Sequence, residues 1–161
     1  MPTSTDRVPA ALPSDVALAR ACARTMLDGD RISHAFGIEL VESAAGRAVL
    51  TMTIRDDMLN GFGTCHGGVL FTLADTALSC ACNSRDERSV AHHCSVIYLR
   101  PGKFGERLTA TASERSKVGR VGIYDVSVTD SCGAAIAEFL GHARTIGGPV
   151  IAPTEARETG A

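Results

Sequence analysis

Between Val69 and Cys82 the chain carries one charged residue, Asp75, in a stretch that is otherwise apolar or small. A run of this length without a turn residue reads as a helix, and the spacing predicts one from Gly67 to Asn83. A helix apolar on most faces must be covered by other elements, which rules out a surface helix. The neighbours of Asp75 at three and four positions are Thr72, Phe71, Leu78 and Ser79, so no local cation neutralises its carboxylate. Burying an unpaired carboxylate is expensive, and such residues are kept mainly where a site uses them.

After this helix the apolar period changes to two. Val90–Leu99, Leu108–Ser113, Val121–Thr129 and Ala134–Ile146 are predicted strands, separated by the turn chemistry of Pro101-Gly102, Gly119 and Asp130-Ser131-Cys132-Gly133. Ahead of it, Phe36–Val41 and Arg47–Ile54 form an expected hairpin around Ser43–Gly46, with Thr51 and Thr53 turned outward. Ser14 is an expected N-cap for a short amphipathic helix that stops at Gly29. No parallel crossover unit repeats. The expected fold is therefore α+β, a long central helix wrapped by a curved antiparallel β-sheet, in one domain over residues 14–146. Residues 1–13 and 147–161, rich in Pro, Gly and small polar residues, are expected to be flexible.

Composition narrows the function. Net charge is −2 with 16 basic residues scattered along the chain, and aromatics make up only 4%, so no nucleic-acid partner is expected. The apolar run is too short to span a bilayer, and Asp6, Arg7 and Pro9 stand where a signal peptide needs an apolar core, so a cytoplasmic protein without a membrane partner is expected. Six cysteines form no C-x-x-C pair, which points to reduced thiols. Cys65-His66 and His92-His93-Cys94 match none of the common ligand frameworks, and no metal is expected. The chain has no G-x-S-x-G elbow, P-loop or dinucleotide fingerprint.

The candidate chemistry gathers at the start of the central helix. His66, Gly67 and Gly68 stand where loop becomes helix, so their N–H groups lack intrahelical partners and face the positive end of the macrodipole. Such a place can stabilise a developing oxyanion or bind an anion, or it can simply permit a tight turn. Asp75 lies about 12 Å further along the axis, so one chain's Gly67 and Asp75 cannot act on the same carbonyl. A shared site requires two antiparallel helices across a two-fold axis, with Asp75 of one chain facing the Gly67 end of the other. Ser79, one turn beyond Asp75, either orients a water or bonds back to the Asp75 carbonyl. Asn60 polarises a carbonyl or holds its turn; His66 aligns the loop or donates to a substrate carbonyl.

Asp57–Gly61, Cys65–Gly68, Leu70–Ala77, Ala81–Ser84, Leu99–Gly102 and His142–Gly148 together resemble the hotdog-fold acyl-CoA thioesterases, specifically the PaaI type of phenylacetate catabolism. The resemblance implies a homodimer with a continuous sheet, usually paired into a homotetramer. It implies hydrolysis of aryl-acyl-CoA thioesters, such as phenylacetyl-CoA or its hydroxylated relatives, with no cofactor beyond the coenzyme A substrate itself. It places Asp75 as nucleophile or general base, Gly67 N–H on the thioester carbonyl, Asn60 and His66 in support, and Ser79 where relatives carry a water-orienting Thr. Gly68 belongs to the same anion-facing turn. The CoA phosphates favour cations, for which Arg100, Lys103, Lys117 and Arg120 are candidates. Other acyl groups, a hotdog hydratase using His66 and a non-catalytic acyl-CoA-binding module are the rival readings.

Overall fold

Local signals start and stop the helices. The computed structural model describes residues 13–151. α1 spans Pro13–Gly29 and buries Ala19, Cys22 and Ala23, the i, i+3, i+4 face of one helix. A second, short helix, α2 (Arg31–Phe36), follows at once: the Asp30 carboxylate accepts the Ile32 N–H, and Gly37 closes the helix in the left-handed region at φ 64°. Phe36 therefore ends a helix rather than starting a strand, and the first hairpin consists of β1 (Glu39–Ala44) and β2 (Arg47–Thr53). A 3₁₀ turn at Asp56–Met58 leads into α3 (Gly67–Cys82), as expected from the apolar run.

Asn83 terminates α3. Its amide donates to Ser79 O at 2.9 Å and Ser89 O at 3.0 Å and accepts the Ser89 N–H at 2.8 Å, so one buried side chain joins the helix end to the next strand. β3 (Ser89–Tyr98), β4 (Arg107–Val118), β5 (Val121–Thr129) and β6 (Ala135–Thr145) complete an antiparallel sheet of order β1-β2-β4-β5-β6-β3. α3 carries the chain from β2 across the sheet to β3, which becomes an edge strand paired only with β6.

The core lies between α3 and the concave face. Leu73, Ala77 and Leu78 meet Leu50, Leu108, Val126 and Phe139, all at most 3% exposed. Gly141 on β6 lets the helix sit close, since a Cβ there would lie 2.5 Å from Leu78 Cδ2. Thr51 is buried instead of outward, because the Arg107 guanidinium lies over the sheet and donates to its hydroxyl at 2.8 Å. Hydrogen bonds continue to Ile151: Gly148 O accepts the Arg88 N–H, and Asp86 accepts the N–H groups of Val150 and Ile151. Of the stretches 1–13 and 147–161 expected to be flexible, Pro13 opens α1 and 147–151 are described, while residues 1–12 and 152–161 lie outside the described residues.

Candidate active site

The entry of α3 is a chain of polarised groups. His66 is its N-cap, with backbone at φ −62° and ψ 134°, and its Nδ1 accepts the Gly68 N–H at 2.9 Å. In the neutral ring the proton therefore sits on Nε2, leaving an outward donor. Tyr98, at the end of β3, donates its hydroxyl to Gly67 O at 2.9 Å, polarising the same peptide whose N–H reaches His66. The N–H groups of Val69 and Leu70 go to His66 O. Among the described residues the Gly67 N–H has no acceptor. Gly67 lines a cavity of about 340 Å³ whose walls include Leu70, Tyr98 and Leu99 as well as Asn60 and Arg100.

Asn60 holds the loop beside this cavity. Its carbonyl accepts from Phe62 N at 2.9 Å and Thr64 N at 3.3 Å, and its amide donates to the Thr64 hydroxyl at 3.0 Å. Cys65 also lines the cavity, but burial pushes its thiol up to about 11, so at neutral pH it is no thiolate nucleophile.

Asp75 opens on a different cavity of about 210 Å³, shared with Asp30, Thr76, Ser79 and Leu27. Half-buried and without a hydrogen bond or ion pair among the described residues, its carboxyl is raised above the usual range, first by burial and then by the Asp30 charge. Thr72 and Thr76 spend their hydroxyls on carbonyls one turn earlier, Gly68 O and Thr72 O. Ser79 makes no such bond among the described residues, so its hydroxyl is left for the cavity. The two cavities have no lining residue in common, although both open along α3.

Three of the four candidate cations use their side chains elsewhere, whereas Lys103 engages only its backbone N–H, on Glu106. Arg100 donates to Ala135 O and to Asp130, Lys117 to Glu87 at 2.6 Å, and Arg120 to Thr145 O. Arg100 alone of the four lines the Gly67 cavity; Lys117 and Arg120 stand at the β4–β5 turn. Asp30 is the one site residue that sequence reasoning passed over. Its N-cap signal was available in Asp30 followed by Ser33 and Gly37, but nothing in the sequence aimed it at Asp75.

A single antiparallel sheet wrapped on one apolar helix is the architecture of the hotdog fold. The thioesterase superfamily model matches residues 62–137. Acyl-coenzyme A thioesterase PaaI of Escherichia coli (strain K12) is 42% identical over 80% of this chain and 91% of its own length. The structure of the E. coli PaaI protein from the phenylacetic acid degradation operon superposes with a TM-score of 0.82 at 41% identity, covering 83% of this chain and 97% of that one. A hypothetical thioesterase with coenzyme A from Streptococcus pneumoniae TIGR4 gives a TM-score of 0.67 at 26% identity, over 70% of this chain and 90% of its own. The chain belongs to the thioesterase superfamily and is a thioester hydrolase of the PaaI type.

Proposed function

We propose that the protein hydrolyses aryl-acyl-CoA thioesters, phenylacetyl-CoA or a ring-hydroxylated relative, at sites shared by two chains. The observation that carries this reading is the separation of its two polar half-sites. An unpartnered N–H and an unpartnered carboxylate lie on one helix but in two cavities with no common lining. Apposing two copies of α3 antiparallel about a two-fold axis brings Asp75 of each chain to the Gly67 end of the other. Edge strand β3, with Val90, Ile97 and Tyr98 exposed, supplies the backbone for that pairing. Two such dimers would then form the tetramer implied by the resemblance. The relatives' coenzyme A ligand and phenylacetic acid operon support the substrate class.

In this site the thioester carbonyl lies against the Gly67 N–H, where helix-end dipoles stabilise the oxyanion as it develops. The His66 Nε2–H stands beside it as a second donor. Asp75 attacks the carbonyl carbon directly or takes a proton from water that does so; burial strengthens it as a base in either role. The C–S bond breaks as the oxyanion collapses and the CoA thiolate leaves, taking up a proton; after direct attack, water then hydrolyses the acyl–Asp75 anhydride, and by either route the products are the carboxylic acid and the CoA thiol. Ser79, one turn from Asp75, orients the water. Leu70, Leu99 and the Tyr98 ring give the cavity the apolar wall an aryl group fits.

Thiol release from phenylacetyl-CoA, compared with straight-chain acyl-CoAs and repeated for Asp75→Asn, tests the reading. Preferential release from the aryl substrate, lost in Asp75→Asn, is expected. A fully active Asp75→Asn enzyme would remove Asp75 from the chemistry.

A further inference from the structure

The cavity that holds Asp75 is lined by a second carboxylate. Asp30 stands at the junction of α1 and α2 and shares that cavity with Asp75, Ser79 and Cys80. Its two oxygens are committed: one accepts the Ile32 N–H at 3.0 Å, the other the Ser33 hydroxyl at 2.5 Å. Asp75, by contrast, has no hydrogen-bond donor on its carboxylate among the described residues.

The other groups that face Asp75 supply no charge. Cys94 reaches it from β3 and Cys82 from two turns further along α3; both thiols are raised by burial first and by the Asp75 charge, and they are neutral at working pH. Cys80 in the same cavity is pushed up to about 12 by burial. Among the described residues neither carboxylate takes part in an ion pair. Among the described residues the Asp30 carboxylate is the charged group that shares this cavity with Asp75 and adds to the rise of its carboxyl.

We propose that Asp30 is a positioning residue for the hydrolysis: its carboxylate, fixed by the α2 cap on the wall of the Asp75 cavity, sets the basicity of Asp75. The inference rests on the reading of Asp75 as the base or nucleophile. Asp30 touches neither substrate nor reacting atoms; it acts through the field it places on Asp75. The α2 cap gives it a second duty, which explains how the charge is held in one place.

Asp30→Asn separates the two duties, because Asn caps a helix as well as Asp and carries no charge. The pH dependence of kcat/KM for phenylacetyl-CoA hydrolysis is measured for the wild type and for this variant, at about 0.05 M and about 0.5 M salt. The acid limb should move to lower pH in Asp30→Asn, with plateau kcat falling by no more than about tenfold as the base weakens. Raising salt should move the wild-type limb in the same direction and leave the variant's limb in place, because screening removes what the mutation removes. Asp30→Ser, also a good cap, should repeat the shift if Asn disturbs the fold. An acid limb that coincides with wild type in both variants, or moves upward, overturns the proposal. Asp75→Asn, assayed in parallel, tells the failures apart: if it is active, the assignment of Asp75 falls and this inference with it. If it is inactive while the Asp30 variants keep the wild-type limb, only the role of Asp30 falls.

Discussion

Replacing Gly67 by proline removes the proposed oxyanion donor and sets the ring Cδ in place of its hydrogen. Gly67 is the first helical residue, where proline is favoured because the N–H has no intrahelical acceptor. His66, at φ −62° and ψ 134°, already has the extended backbone that a residue before proline requires. The cost lies in the side chain: a Cβ at Gly67 would sit 3.1 Å from Tyr98 Cζ and 3.2 Å from its hydroxyl oxygen. Tyr98 is 49% exposed and can swing away, giving up its hydrogen bond to Gly67 O, which is worth about 1 kcal/mol. In a chain of this size that lowers Tm by about 2–4 °C. Gly67→Ala brings the same Cβ with the N–H retained, so the difference between the two variants reports the loss of the donor together with the ring Cδ that replaces it. Loss of one oxyanion donor costs about 10²–10³ in kcat, or about 2.7–4 kcal/mol. Thiol-release kinetics on phenylacetyl-CoA should therefore place Gly67→Pro about two to three orders of magnitude below Gly67→Ala, with melting temperatures within a few degrees of each other. A proline variant within about threefold of the alanine variant would refute the assignment of that N–H.

Two further outcomes follow from the same geometry. When Asp75→Asn and Gly67→Pro chains are unfolded together and refolded at equal amounts, half the dimers are hybrids and each hybrid holds one intact site, so about one quarter of wild-type activity should return; verified hybrids with no more than the parental activity would place the site within one chain. Asp75→Asn should also stabilise the fold at neutral pH. The folded carboxyl is raised above its unfolded value by burial and by Asp30, so the folded state holds its proton more tightly and wild-type stability falls as pH rises through that window. The advantage of Asn should appear in denaturant midpoints at neutral pH and vanish below the usual Asp range; an Asn variant that is less stable at neutral pH would contradict the sign.

How legible the fold was depends on where each signal resides. α3 was readable because its apolar run, its His-Gly-Gly entry and its Asn83 exit all lie within the segment itself, and β5 because Val121–Thr129 alternates cleanly. β4 runs on to Val118, past the expected end at Ser113. Its polar half is held by partners remote in sequence: Arg85 on Glu114, Asp125 on Arg115 and Glu87 on Lys117. Charges that look like a loop become a strand when the facing strand and the nearby loop supply their counter-ions. Phe36 reads as a strand start when the apolar pattern is weighed alone; the Asp30 cap and the left-handed Gly37 override it. Which strands become neighbours was not legible, since the β3–β6 pairing is set by where α3 delivers the chain. For the candidate site, the relative placement of His66, Gly67, Asp75 and Ser79 could be read because helical spacing fixes it. Asp30 could not, because a different pair of helices brings it to the same cavity.

The coverage of α3 explains why the chain tolerates an uncompensated carboxylate. Leu73, Ala77 and Leu78 are wholly buried on the sheet, whereas Gly68, Phe71, Thr72, Asp75 and Ser79 are not, and they recur at three and four positions along one line of the helix. That line is the part of α3 the chain leaves partly open. A charge there keeps some of its hydration in the isolated chain and loses it when the line is covered by a second chain or by a bound acyl thioester. Desolvation and the Asp30 charge both act in the direction that makes Asp75 a stronger base. Assembly of the site and activation of its base would then be one event, and the charge costs most in the state that performs the chemistry.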